Sequence, residues 1–181
     1  MAVYETYENA GQIPFEEWSA RGIQVPIFDK DATLTSFHQD TFIPEVMEGL
    51  IANKLTDFFP RIALVSNSND APHIHAVAKS LSLELGGIEV FGLCQAQGGI
   101  ARKPNRMTGL IVADHFEVKP YELGVIGDRR LVDVSFGKKL GAGAIALCDK
   151  VGEGDQKGVP LVRFLEKVIV SFETRHDSID R

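Results

Sequence analysis

Five short apolar runs alternate along this sequence with segments whose apolar residues recur at helical spacing. Each run has the length and composition of a buried strand. They lie at about 23–28, 62–66, 88–91, 123–126 and 142–147. Strands that alternate with helices form parallel sheets through right-handed crossovers. The pattern therefore predicts an α/β fold: a Rossmann-like, three-layer α/β/α sandwich around a mainly parallel sheet.

Prolines and glycines mark the ends of the predicted helices. These helices cover about 44–58, 72–83, 131–140 and 159–174, and a shorter one starts at Pro104. No linker or internal repeat divides the 181 residues, which are enough for one complete core. A single domain over residues 1–181 is expected, with its core at about 22–150 and a C-terminal helix after it.

Composition excludes several classes of protein. The chain is 44% hydrophobic and 24% charged, as globular domains are, and no apolar run reaches the roughly 18 residues that span a bilayer. Its two cysteines form neither a disulfide framework nor a zinc-site pattern. A net charge of −6 argues against nucleic acid as a partner. The first 18 residues lack Lys and Arg, which is typical neither of a secretory signal nor of a transit peptide.

Two carboxylates, Asp29 and Asp31, directly follow the first apolar run. A carboxylate in the first position can bind Mg²⁺ through one oxygen and attack phosphorus with the other. A carboxylate two residues later can protonate a leaving group and then activate water. Acidic pairs are also common in solvated turns, so the weight of this pair depends on partners further along the chain.

Two of these partners are Ser66 and Lys103. Ser66 ends the second apolar run, where a hydroxyl can donate a hydrogen bond to a phosphoryl oxygen. Lys103 precedes Pro104, the expected start of a helix, where an ammonium group can neutralise a phosphoryl group. Taken singly, a turn before a helix and a solvated surface lysine explain these two residues better.

The third partner is the pair Asp128 and Asp133, which follows the fourth apolar run. Asp128 can complete a Mg²⁺ shell with Asp29, or it can simply cap the next helix. Asp133 lies about one helical turn further on and can hold Lys103 or a metal-bound water. Parallel sheets bind ligands at the carboxyl ends of their strands, where these motifs are expected to meet.

The order of these four groups resembles the haloacid dehalogenase-like (HAD) phosphatases from about residue 23 to 147. Within that superfamily, segments 28–31, 65–68, 103–104 and 127–129 are similar to the mitochondrial-type phosphatidylglycerophosphate phosphatases and their bacterial relatives. Ala32 stands where that family usually has Asn, and Val132 where Thr is usual. Neither change removes a group that the chemistry needs.

The resemblance implies a Mg²⁺-dependent enzyme that hydrolyses phosphatidylglycerophosphate to phosphatidylglycerol, a step of cardiolipin biosynthesis, through a phosphoaspartate. The expected catalytic residues are Asp29, Asp31, Ser66 and Lys103. The expected metal ligands are Asp29, the backbone carbonyl of Asp31, and Asp128. Expected to bind substrate are Ser66, Asn67, Lys103, Arg129 and Arg130, with Asp133 in a supporting role.

The motif spacing leaves no room for a cap domain, which in this superfamily enters before or after the Ser motif. The expected site is therefore open, which suits a substrate presented by something large, such as a bilayer. Basic residues also gather in and beside the motifs: Lys30, Arg102, Lys103, Arg106, Arg129 and Arg130. This clustering favours a substrate with more than one negative charge.

The expected partner is an anionic phospholipid at a membrane surface, with peripheral membrane contact and no nucleic acid, and oligomerisation is left open. The implied location is the matrix face of the mitochondrial inner membrane, with the cytoplasm or a plastid as alternatives. Two other functions stay open. One is a capless phosphatase for a small soluble phosphomonoester, and the other is an inactive binding module with this fold.

Three further features have ordinary explanations. His73 and His75 lie two residues apart on a predicted helix and so do not face the same way, which argues against a metal pair. The aromatic N-terminal segment around Phe15 and Trp18 either touches a membrane interface or folds over the core. The apolar stripe of the helix at 159–174 is expected to pack on the sheet, with an interfacial membrane helix as the alternative.

Overall fold

The computed structural model describes residues 4–95 and 102–149, and within them six strands form one sheet. The strands are β1 (Glu5–Tyr7), β2 (Val25–Phe28), β3 (Arg61–Ser66), β4 (Glu89–Cys94), β5 (Leu123–Gly127) and β6 (Ala144–Cys148). Their order is β1-β6-β5-β2-β3-β4, and every neighbouring pair is parallel. The predicted α/β fold is confirmed.

Helices cover both faces of this sheet. They are α1 (Phe15–Ala20), α2 (Pro44–Ala52), α3 (Leu55–Phe58), α4 (Ala71–Glu84), α5 (Arg106–His115) and α6 (Ser135–Leu140). Successive strand side chains point to opposite faces, so Leu64 and Val65 of β3 belong to two separate apolar clusters. The first cluster includes residues of α1, α2 and α4, and the second includes residues of α5 and α6. These are the predicted three layers.

Two predicted helices differ in detail from the observed ones. The helix predicted at 44–58 divides into α2 and α3, because Lys54 between them adopts a left-handed backbone with φ of 54°. Helix α5 begins at Arg106 rather than at Pro104, because the Asn105 side chain caps it by accepting the N–H of Met107 at 3.0 Å. The expectation that Pro104 opens a helix is therefore wrong.

The N-terminal segment folds over the core. Strand β1 adds an edge to the sheet beside β6, and neither β1 nor α1 was predicted. Phe15 and Trp18 of α1 are fully buried and meet edge to face, with ring centroids 6.3 Å apart. Of the two alternatives for this segment, packing on the core is the one observed.

The described residues contain no inserted domain between the motifs. Helices α2 and α3 fill the connection from β2 to β3, and α4 and β4 follow Ser66, with residues 96–101 outside the description. None of the described helices is long and apolar enough to cross a membrane. The helix expected at 159–174 lies outside the described residues.

Candidate active site

Three adjacent strands bring the predicted groups to one edge of the sheet. Asp29 follows β2, Ser66 ends β3 and Asp128 follows β5. Because β5, β2 and β3 are neighbours and parallel, their carboxyl ends lie side by side. This edge is the usual ligand site of open α/β sheets.

Lys103 joins two carboxylates beneath this edge. Its Nζ lies 2.7 Å from Asp29 Oδ1 and 2.7 Å from Asp133 Oδ1, and all three side chains are buried. Burial alone would lower the pKa of Lys103, but the negative charges of Asp133 and Asp29 outweigh it and raise the pKa above its ordinary value. The lysine is therefore a fixed positive charge at neutral pH.

The same contacts act on the Asp29 carboxyl in opposite directions. Burial raises its pKa above the ordinary value, the Lys103 ammonium lowers it, and the charge of Asp133 raises it again, with a net increase. A carboxylate this deeply buried depends on neighbouring positive charge to stay ionised. Lys103 supplies that charge, and a bound cation would add to it.

Three buried carboxylates form a group that can hold such a cation. Ligand oxygens of Asp29, Asp128 and Asp133 all lie within 4.8 Å of one another. Hard oxygen donors of this kind suit Mg²⁺. In Asp133, Oδ1 accepts from Lys103 and Oδ2 accepts the N–H of Arg129 at 3.2 Å. This leaves Asp29 and Asp128 as the better ligands, with Asp133 in support.

Gly127, the last residue of β5, makes room for Asp133. A Cβ on Gly127 would lie 2.6 Å from Oδ2 of Asp133, which is closer than real contacts allow. Gly127→Ala should therefore displace the carboxylate from Lys103 and lower the free energy of unfolding by about 1–3 kcal/mol. Chemical denaturation would measure the loss of stability, and an assay of catalytic activity would show the effect of displacing Asp133. Unchanged stability and activity would contradict this packing argument.

Asn67 fixes the position of Lys103. Its Oδ1 accepts the backbone N–H of Lys103 at 2.8 Å, and its Nδ2 donates to the backbone oxygen of Lys103 at 3.2 Å. These bonds engage both ends of the amide and hold Lys103 in place. The expectation that Asn67 also binds substrate stays a prediction. Lys103 thus lies on a turn clamped to the end of β3, not on a helix N-terminus.

An open cleft of about 260 Å³ lies above these groups. Asp29, Asp31 and Ser66 line it, together with Arg102 and Arg129. The Ser66 hydroxyl accepts the N–H of Ser68 at 3.2 Å, so its own hydrogen can point to a ligand. The cleft thus combines two carboxylates, a hydroxyl and positive charge around one small volume. Such a set of groups can bind a phosphate ester and attack it.

The structure does not bring every predicted basic residue to the cleft. The Arg130 guanidinium lies over the Tyr4 ring at 5.7 Å, and Arg130 is not among the residues that line the cleft. Its contact with substrate stays a prediction. Its neighbour Arg129 does line the cleft. Lys30 lines it too but has a side chain only 3% exposed and contacts Asp31, so it adds little to a basic surface.

The two histidines separate as expected. His73 lines the cleft, with its Nε2 3.1 Å from Asp40 Oδ1, whereas His75 lies in another groove beside β4. The sequence gives no signal for the His73–Asp40 pair or for the Asn67 clamp, since both depend on where separate loops meet. Neither residue spacing nor composition predicts these contacts between loops.

Solved structures from three bacteria share this fold. A 4-nitrophenylphosphatase from Thermotoga maritima is 13% identical, with a TM-score of 0.52 over 76% of this chain and 90% of that chain. An uncharacterized protein from Listeria monocytogenes serotype 4b is 17% identical, with a TM-score of 0.55 over 75% and 85%. One from Corynebacterium glutamicum is also 17% identical, with a TM-score of 0.51 over 78% and 93%. At these identities the likeness shows the fold.

The fold, the strand-end groups and the sequence together define a phosphatase of the HAD-like superfamily. More narrowly, the chain belongs to the family described as mitochondrial PGP phosphatase, which matches residues 4–152. That match contains all four motifs and confirms the resemblance seen in the sequence. No curated protein matches the sequence.

Proposed function

We propose that this protein removes the terminal phosphate of phosphatidylglycerophosphate and releases phosphatidylglycerol at a membrane surface. The observation that carries the chemistry is the buried Asp29–Lys103–Asp133 bridge beside Asp128. It supplies a nucleophile, a fixed positive charge and a cation site in one place. Membership of the PGP phosphatase family supports the choice of substrate.

Catalysis proceeds in two steps in this proposal. A carboxylate oxygen of Asp29 attacks phosphorus, the bond from phosphorus to the alcohol oxygen breaks, and Asp31 gives its proton to the departing alcohol. Asp31 then takes a proton from a water molecule, which attacks phosphorus, and the bond from Asp29 to phosphorus breaks. Phosphate leaves and both carboxyl groups return to their starting states.

The remaining groups stabilise charge on the transferred phosphoryl group. Lys103 and the Ser66 hydroxyl offset charge on its oxygens. When bound by Asp29 and Asp128, with the backbone carbonyl of Asp31, Mg²⁺ supplies further charge neutralisation.

Trapping of the covalent intermediate tests the two-step route. Wild-type protein that is quenched in acid during turnover should carry one phosphoryl group on the peptide that contains Asp29. A phosphoryl group on another residue, or none with a slow substrate, would contradict it.

Metal dependence gives a second test. A chelator should abolish activity, added Mg²⁺ should restore it, and Ca²⁺ should substitute poorly because its larger shell misplaces the nucleophile. Asp128→Ala should raise the Mg²⁺ concentration needed for half-maximal activity by on the order of tenfold or more. Asp114→Ala, which changes an exposed carboxylate of α5, is the matched control and should leave it unchanged. Full activity in chelator would contradict a metal-dependent reaction.

Two arginines of the cleft support a substrate with a second phosphate. Lys103 and the cation serve one phosphomonoester, whereas Arg102 and Arg129 add positive charge beside it. Guanidinium groups bind phosphate through charge-assisted hydrogen bonds. The phosphodiester of phosphatidylglycerophosphate is the group that they would bind.

Adjacent arginines provide a matched pair of variants. Arg129→Gln should raise KM for phosphatidylglycerophosphate in micelles by on the order of tenfold, the loss expected for one charge-assisted contact. Arg130→Gln should change it little, because that guanidinium stacks on Tyr4. Arg129→Gln should raise the KM for a small monoester less than the KM for the lipid, and Arg130→Gln should change neither KM much. Equal losses on lipid and monoester in Arg129→Gln would mean that it serves the catalytic loop instead.

The family description also supports a location. A mitochondrial family of lipid phosphatases favours the matrix face of the inner membrane, with an anionic phospholipid surface as the partner. An open cleft without an inserted domain among the described residues suits a lipid headgroup held in that surface. The second candidate is a soluble phosphomonoester, which the same open cleft can admit.

A further inference from the structure

Lys30 is a buried lysine that the proposed reaction does not use. It lies between Asp29 and Asp31 in the sequence, and its side chain is only 3% exposed. Its Nζ donates to Asp31 Oδ1 at 3.0 Å and to the backbone oxygen of Gln39 at 2.8 Å. Asp40 Oδ1 lies 3.7 Å away. Burying an ammonium group costs free energy unless the group is paired, and these three oxygens supply the pairing.

Its contact with Asp31 engages one of the two oxygens of that carboxyl group. Oδ1 of Asp31 accepts from Lys30 Nζ and also from the backbone N–H of His38 at 3.1 Å. An oxygen that accepts two hydrogen bonds, one of them from a cation, is a poor position for a proton. Oδ2 is therefore the oxygen of Asp31 that is left to exchange a proton with the leaving group in the proposed reaction.

The second contact joins Lys30 to the loop that follows the motif. Its Nζ holds Gln39, while its own backbone oxygen accepts the N–H groups of Leu34 at 3.0 Å and Thr35 at 3.1 Å. Both ends of Lys30 thus fix the segment that carries His38, the second donor to Asp31. The side chain of Asp31 is 27% exposed, so without these donors it would be able to turn away from the cleft.

We propose that Lys30 is a positioning residue for the general acid. It holds Oδ1 of Asp31 so that Oδ2, with its proton, faces the ester oxygen that leaves. Lys30 itself exchanges no proton and touches no substrate. The inference rests on the proposed phosphatase reaction but not on which phosphomonoester is the natural substrate.

Leaving-group dependence tests this role. An alkyl phosphate such as glycerol 3-phosphate needs a proton on its departing oxygen. The 4-nitrophenolate of 4-nitrophenyl phosphate departs readily without one. The ratio of kcat/KM for the alkyl ester to kcat/KM for the aryl ester therefore reports general-acid help. Damage to Asp29 or to the cation site affects both esters and cancels in the ratio.

Lys30→Met should lower this ratio by about tenfold or more, part of the usual contribution of a general acid. In an Asp31→Asn background the same change should alter the ratio less than about twofold, because its target is already lost. Thr35→Val is the matched control: it removes a hydroxyl 3.4 Å from the Lys30 backbone oxygen in the same turn and should leave the ratio unchanged.

Several results would overturn the inference. Equal losses on both esters, or an equal fall of the ratio in Thr35→Val, would make Lys30 a structural residue of the loop. If Lys30→Met does not fold, Lys30→Gln, which keeps one donor, carries the same test, and failure of both to fold would assign the ammonium to stability. Wild-type protein that hydrolyses neither these two esters nor phosphatidylglycerophosphate would overturn the proposed function itself, and this inference with it.

Discussion

Asp29→Asn should reduce turnover by on the order of 10⁴-fold or more while the fold survives. An amide neither attacks phosphorus nor binds Mg²⁺ well, so the proposed covalent route loses its nucleophile. The side chains have nearly the same shape, and Lys103 keeps its contact with Asp133. Initial rates of phosphate release, with thermal unfolding as the check on folding, measure this effect.

A matched carboxylate separates the role of Asp29 from a general effect of charge. Asp57 is exposed on α3, which leads into β3. It therefore lies near the amino ends of the strands, whereas the cleft lies at their carboxyl ends. Asp57→Asn removes the same charge and should retain wild-type turnover. Turnover near the wild-type rate in Asp29→Asn would refute the assignment of the nucleophile.

Of the substitutions considered, Lys103→Met should lower the free energy of unfolding most. The ammonium stands between two buried carboxylates, and removing one partner of a buried ion pair leaves uncompensated charge. The free energy of unfolding should fall by about 3–5 kcal/mol at neutral pH. Denaturant unfolding measures it, and Lys139→Met, which changes an exposed lysine of α6, should leave it nearly unchanged.

The loss in Lys103→Met should depend on pH. Burial raises the pKa of Asp29 even in the presence of Lys103, so without the lysine the folded state should bind a proton more tightly than the unfolded state. Stability then rises as pH falls. The difference from wild type should therefore be smaller near pH 5 than near pH 8. A difference that grows on acidification would contradict the bridge as the source of the effect.

Sequence patterns predict the parts of the site that strands position. Asp29 and Asp128 directly follow apolar runs, and parallel pairing then brings them to the same edge. Edge strand β1 escapes prediction because it has only three residues, Glu-Thr-Tyr, with no apolar run. Its partner β6 provides the sheet edge on which it forms.

Side-chain direction in loops is the part that the sequence could not supply. Arg129 and Arg130 are neighbours of the same residue type, yet one lines the cleft and the other stacks on Tyr4. Lys103 is predicted as the catalytic cation, but for the wrong local reason, since Asn67 rather than a helix terminus positions it. Such outcomes depend on tertiary contacts between distant segments, which local spacing does not encode.

One comparison of substrates tests the central claim most directly. The kcat/KM of the wild-type protein with Mg²⁺ should be measured for phosphatidylglycerophosphate in mixed micelles and for a panel of soluble phosphomonoesters. The proposed function predicts that the lipid exceeds every soluble ester by on the order of 10²-fold or more, since remote binding energy raises the rate at the reacting centre. A soluble metabolite that is hydrolysed as well as or better than the lipid would contradict it.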